Sequence, residues 1–147
     1  MTRTGGRPTT SLPTTSAHKG AVDLLLDSHT AVWWADDPSQ LSTEASAAIS
    51  DPGNDVWASA ASAWELAIKS TQGKLALDVR GLFRRLADQR IRLRGIGIDD
   101  GVDAAALIWN HRDPFDRMLV AQAANSGLVL VTRDSVILDF VPGCVVA

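Results

Sequence analysis

The run VDLLLD at residues 22–27 constrains the fold most. It is a short, continuous apolar segment bounded by acids, the pattern of a strand buried on both faces of a parallel sheet. Segments of this kind then alternate with helical ones. A helix is expected from Ser28 to about Ala35, stopped by Asp36-Asp37-Pro38, and another from about Ser42 to Ser50. Asp51-Pro52-Gly53-Asn54 is turn chemistry, and residues 55–59 read as a second strand. Residues 60–72 are Ala-rich and helical with Gly73 at the stop, and 79–90 form a basic amphipathic helix. IRLRGIGI, residues 91–98, alternates as a strand does, and Asp99 or Asp100 caps a helix running to about Trp109. Asp113-Pro114 starts a helix that ends at Gly127, and residues 128–132 form a further apolar strand. Repeated strand–helix alternation predicts a three-layer α/β/α sandwich around a mostly parallel sheet.

Residues 1–20 are rich in Thr, Gly, Pro and Ser and read as a disordered N-terminal extension, leaving 21–147 as one domain. Cys144 is the sole cysteine, so no internal disulfide or zinc-ligand spacing is available, and a reducing cytoplasm is the expected setting. Neither a signal peptide nor a membrane span is legible. The net charge of −3 argues against coating nucleic acid by bulk attraction. Between Lys69 and Arg94, however, eight basic residues face two acidic ones, a local excess of six positive charges.

In a parallel sheet the C-terminal ends of strands and the N-terminal ends of crossover helices share one edge. Asp27 ends the first strand, Asp134 follows the last, and Glu65 and Asp116 fall in early turns of helices that leave or approach that edge. Four carboxylates brought together repel unless a hard divalent cation compensates them. Oxygen donors without His or Cys spacing favour Mg²⁺ or Mn²⁺, and phosphodiester hydrolysis is the matching chemistry. Each acid also has a plainer reading. Asp27 and Asp113 suit helix N-caps and Asp134 a turn, whereas Glu65 can complete a capping box with Ser62 or pair with Lys69. Asp116 lies on a helix apolar almost all round, where an unpaired carboxylate is costly.

From residue 22 onward the chain resembles the PIN-domain ribonucleases, specifically the VapC-type toxins of bacterial toxin–antitoxin modules. The carriers are LLLDSHTAVWW with Asp27, ASAWELAIK with Glu65, HRDPFDRMLVAQA with Asp116, and LVTRD with Thr132 and Asp134. The block around Asp116 is the most specific. The resemblance implies a PIN-like sandwich in which Asp27, Glu65, Asp116 and Asp134 bind one or two Mg²⁺ or Mn²⁺ ions. It also implies RNA cleavage by a metal-activated water, leaving a 5′-phosphate. Asp113, Ser28 and Thr132 are candidate supporting residues. The resemblance further implies a VapB-type antitoxin that shuts the site, a homodimer, and a larger assembly with the antitoxin. No histidine is required as base: His18 lies in the extension, and His29 and His111 flank the acids.

Arg84 and Arg85 in the basic segment, with Arg117 and Arg133 beside two of the acids, are candidate RNA phosphate contacts. A solvated helix face is the alternative for the former pair. Adjacent Trp33 and Trp34 cannot face the same way on a helix, so one of them is a candidate partner contact. Two rival functions are a PIN-like scaffold that binds RNA or protein without cutting, and a phospho-acceptor using Asp27 as nucleophile. The complete acidic quartet counts against the first, and the lack of a late lysine after the last strand against the second.

Overall fold

The computed structural model describes residues 20–147; the expected N-terminal extension and His18 lie outside the described residues, save for Gly20. Five parallel strands form one sheet in the order β3-β2-β1-β4-β5: β1 (Asp23–Leu26), β2 (Asp55–Ser59), β3 (Arg92–Arg94), β4 (Val129–Thr132) and β5 (Val145–Val146). Seven α-helices flank it: α1 (Ser28–Asp36), α2 (Thr43–Ser50), α3 (Ala60–Thr71), α4 (Val79–Asp88), α5 (Ile98–Ala106), α6 (Pro114–Ser126) and α7 (Ser135–Phe140).

The apolar strand β1 occupies the middle of the sheet, and its successive side chains feed opposite layers. Leu24 and Leu26 join a core built with Ala31, Ala45, Leu66, Leu82 and Leu86, whereas Leu25 joins Leu119, Val120, Ala123 and Ile137 on the other face. All three leucines are fully buried. Each contributes roughly 1.5–3 kcal/mol relative to an exposed position, which explains why this segment carries no polar alternation. Gly127 ends α6 in the left-handed region at φ 66°, a conformation glycine adopts without a Cβ penalty.

Three details differ from the sequence reading. Residues 91–98 do not make one strand: only Arg92–Arg94 pair, because β3 is an edge strand, with Ile91 before it in the core and Leu93 within it exposed. The next helix begins at Ile98 with Gly97 as N-cap, and Asp100 sits one turn in, its Oδ2 accepting from the Gly97 N–H at 2.8 Å. That helix stops at Ala106 rather than Trp109, since Arg117 takes over the carbonyls of its last turn. A short 3₁₀ turn (Pro38–Gln40), α7 and β5 complete the domain beyond what the pattern indicated. Among the described residues no helix is long and apolar enough to cross a membrane.

Candidate active site

The strand order reverses at β1, where the chain leaves toward β2 on one side and returns as β4 on the other. A crevice at the C-terminal ends of such strands is the usual binding place in open α/β sheets. Here it holds a cavity of about 130 Å³ lined by Asp27, Ser28, His29, Glu65, Lys69, Asp113, Asp116 and Asp134. The four expected acids therefore meet, joined by Asp113.

Three of these carboxylates are also helix caps. Asp27 Oδ1 accepts from the Thr30 N–H at 2.9 Å, Asp113 Oδ1 from the Phe115 and Asp116 N–H groups, and Asp134 Oδ1 from the Val136 N–H at 2.8 Å. Capping and pocket lining are not competing readings: the cap occupies one oxygen, and the N-termini of α1, α6 and α7 turn their positive dipole ends toward the same cavity. The hydroxyls secure the remaining oxygens. Thr132 Oγ1 donates to Asp27 Oδ2 at 2.5 Å and accepts from the Asp134 N–H, and Ser28 Oγ donates to Glu65 Oε1 at 2.6 Å. Lys69 Nζ lies 3.2 Å from Glu65 Oε2, the i, i+4 pair expected on α3.

Among the described residues Asp116 pairs with no lysine or arginine, only with His111. Burial pushes its carboxyl up, the charges of Asp113, Asp134 and Glu65 add to that, and His111 only partly offsets them, so its pKa stands at about 6. His111 Nε2 lies 2.7 Å from Asp116 Oδ2, a contact that the sequence reading left as mere flanking. The signal available was the spacing HRDPFD, in which the turn at Asp113-Pro114 folds residue 111 back over residue 116. Ligand atoms of His111, Asp113 and Asp116 all lie within 4.8 Å of one another. Five carboxylates around a small cavity, one of them unable to ionise at its ordinary pH, form a donor set that fits a hard divalent cation.

The arginines separate. All five guanidinium donors of Arg117 are spent on main-chain carbonyls: Nε on Ala104, the two terminal nitrogens on Ala105, Leu107, Trp109 and His111. The expectation that Arg117 contacts RNA gives way to a structural role, because no N–H is left to offer a phosphate. Arg133 lies over the Trp33 ring, 4.4 Å from its centroid, and donates to the carbonyls of Gln40 and Ala147. Arg85 pairs with Asp36 at 2.6 Å across α4 and α1, whereas Arg84 is exposed. Trp33 and Trp34 both pack half-buried against the larger core. Trp64, 61% exposed, is the surface tryptophan instead.

The PIN domain family matches residues 24–140. Ribonuclease VapC22 of Mycobacterium tuberculosis is 39% identical over 116 residues, spanning 76% of this chain and 86% of that protein. Among solved structures, a toxin–antitoxin complex from Klebsiella pneumoniae aligns with a TM-score of 0.57 at 20% identity, over 84% of this chain and 96% of the matched one. VapBC2 from Rickettsia felis, solved with a DNA fragment from its promoter, aligns with a TM-score of 0.57 at 13% identity, over 86% and 98%. These two similarities speak to the fold.

Proposed function

The chain belongs to the PIN-domain family and, within it, to the VapC ribonucleases, and from that premise we propose that it is the toxin of a VapBC-type toxin–antitoxin system, cutting cellular RNA endonucleolytically in the cytoplasm. Asp27, Glu65, Asp116 and Asp134 are its metal ligands and catalytic residues, with Mg²⁺ the expected ion and Mn²⁺ a substitute. A VapB-type antitoxin is its inhibitor, and a homodimer its expected free state. The observation carrying the reading is the convergence of five carboxylates at the sheet's reversal point, with Asp116 raised to about 6.

The chain's own contribution is placement. Thr132 and the Thr30 N–H fix both oxygens of Asp27, Ser28 and Lys69 fix those of Glu65, and Asp113 caps the helix that delivers Asp116. His111 Nε2 lies within hydrogen-bonding distance of Asp116 Oδ2 and holds that carboxyl in place. A bound divalent ion supplies acidification of water and neutralisation of charge on the phosphate and leaving oxygen.

One experiment separates this from its rivals: purified protein with total RNA in Mg²⁺, in EDTA, and as Asp27→Asn and Asp116→Asn. Cleavage in Mg²⁺ alone, lost in both variants, is the expected result. Metal-independent cleavage or full activity in both variants overturns it. RNA binding without cleavage points to a scaffold, and an acyl-phosphate on Asp27 to a phospho-acceptor.

A further inference from the structure

Beside the acid pocket lies a second cavity of about 260 Å³ between α3 and the start of α6, lined among others by Glu65, Ile68, Lys69, Lys74, Asp113 and Phe115. It shares Glu65, Lys69 and Asp113 with the acid pocket, so the two adjoin. Its chemistry is different. The first cavity sets five carboxylates against Lys69; the second keeps only Glu65 and Asp113 of these and adds an aromatic ring, an aliphatic side chain and a second lysine. Lys69 leans on Glu65 at 3.2 Å, while Lys74 forms no ion pair among the described residues. The Lys74 N–H donates to the Lys69 carbonyl at 3.0 Å, which holds it against the end of α3.

The ring of Phe115 is set by Trp64, in edge-to-face contact at 5.2 Å between centroids and 77° between planes. Each aromatic directly precedes a pocket acid, Trp64 before Glu65 and Phe115 before Asp116. The same two helices that present the carboxylates thus present an aromatic pair at their rim. Aromatic side chains bind unpaired bases of any identity by stacking, and a nearby lysine takes the phosphate. The volume is slightly below that of drug-sized pockets, roughly 300–1,000 Å³, which suits one base rather than a whole free ligand.

We propose that this cleft is a nucleotide subsite, in which Phe115, braced by Trp64, stacks on the base flanking the phosphodiester offered to the acids, and Lys74 contacts the adjoining phosphate. The assignment rests on the ribonuclease reading and names how that substrate is held. It also implies that the strand at the cut is unpaired, since a stacked-out base cannot remain in a duplex.

The test uses the Asp27→Asn chain, which retains RNA uncut, and a fluorescein-labelled, mixed-sequence, short single-stranded RNA in Mg²⁺, read by anisotropy. Phe115→Leu, which keeps an apolar side chain, weakens binding about tenfold. Lys74→Ala weakens it about threefold and lowers the salt slope by about one. RNAs carrying a single abasic position, scanned along the strand, lose about tenfold at one register with Phe115 present and almost nothing with Phe115→Leu, the non-additivity expected of a direct contact. Thermal melting of each variant checks the fold, and Lys74→Ala, at an exposed position, stands if Phe115→Leu melts early. Additive abasic penalties, or unchanged RNA binding in both variants, overturn the subsite. Altered sedimentation of Phe115→Leu with intact RNA binding does so too, assigning the ring to a protein contact. The ribonuclease reading fails separately, if the unaltered chain leaves total RNA intact in Mg²⁺.

Discussion

Two carboxylates, Asp100 buried and Asp116 half-buried, sit on neighbouring packed helices and meet opposite treatment. Asp100 is 3% exposed, and burial alone raises its pKa. The Gly97 N–H, Asn125, Arg94 and Gln122 outweigh that and hold it below the ordinary carboxylate range. Asp116 is surrounded by other acids and is pushed up to about 6. The arginine next to it in sequence could supply the same relief that Arg94 gives Asp100, yet Arg117 directs every donor to carbonyls of residues 104–111. The fold compensates one acid fully, whereas His111 only partly compensates the other. An acid removed from water is therefore informative only with its partners, and the one left with a raised pKa is the better candidate for chemistry.

The sharpest way to break this comparison is to neutralise each acid in turn. Asp116→Asn lowers RNA cleavage about 10³-fold, roughly 4 kcal/mol in barrier, while Asp100→Asn leaves the rate per folded molecule within about twofold; equal losses in a single-turnover assay would erase the distinction. Arg117→Lys tests why Asp116 pairs with His111 and not with the arginine beside it. An ammonium cannot reproduce five planar donors, so stability falls by about 2–3 kcal/mol, read by urea denaturation, and unchanged stability would remove the clamp. Asp100→Ala strands Arg94, whose side chain is 22% exposed. A loss of about 2 kcal/mol is expected, less than for a fully buried pair, with Mg²⁺ affinity by calorimetry unchanged.

The smallest effect concerns pH without divalent ions. A carboxyl whose folded pKa is raised stabilises the protein below its unfolded value, and that contribution is lost as pH rises through the folded one. For Asp116 the window runs from 3.8 to about 6. In EDTA, Asp116→Asn raises the melting temperature at pH 7.5 by about 3 °C and leaves it unchanged at pH 3. A gain at pH 3 equal to that at pH 7.5 would contradict the assignment. By the same sign, the proposed metal role of Asp116 predicts that cleavage at limiting Mg²⁺ drops as pH falls below about 6, the proton then competing with the cation.

Much of this was legible in the chain because burial on both faces leaves little room for polar residues: Leu24, Leu25 and Leu26, and Val129, Leu130 and Val131, are apolar for the same reason that they are central. The acids were legible because strand ends and helix starts are marked by caps. What escaped was decided by distant partners. The end of α5 depends on an arginine eleven residues beyond it, and the brevity of β3 on its place at the sheet's edge. His111 gained its role only when the turn at Asp113 folded it over Asp116. Trp64, rather than Trp33 or Trp34, is exposed because α1 turns both of its tryptophans against the core.

The strand order carries a consequence in time. Asp134 arrives with β4, which inserts beside β1, so the first and last acids become neighbours only after 107 further residues have been made. At ribosomal speeds of about 5–20 residues per second, that interval is about 5–20 s. Throughout it the growing chain holds Asp27 without its counterpart, and a break anywhere between the two leaves an incomplete set. On the proposed quartet, nascent and truncated chains lack the full set of acids by topology alone until nearly the whole length has been synthesised.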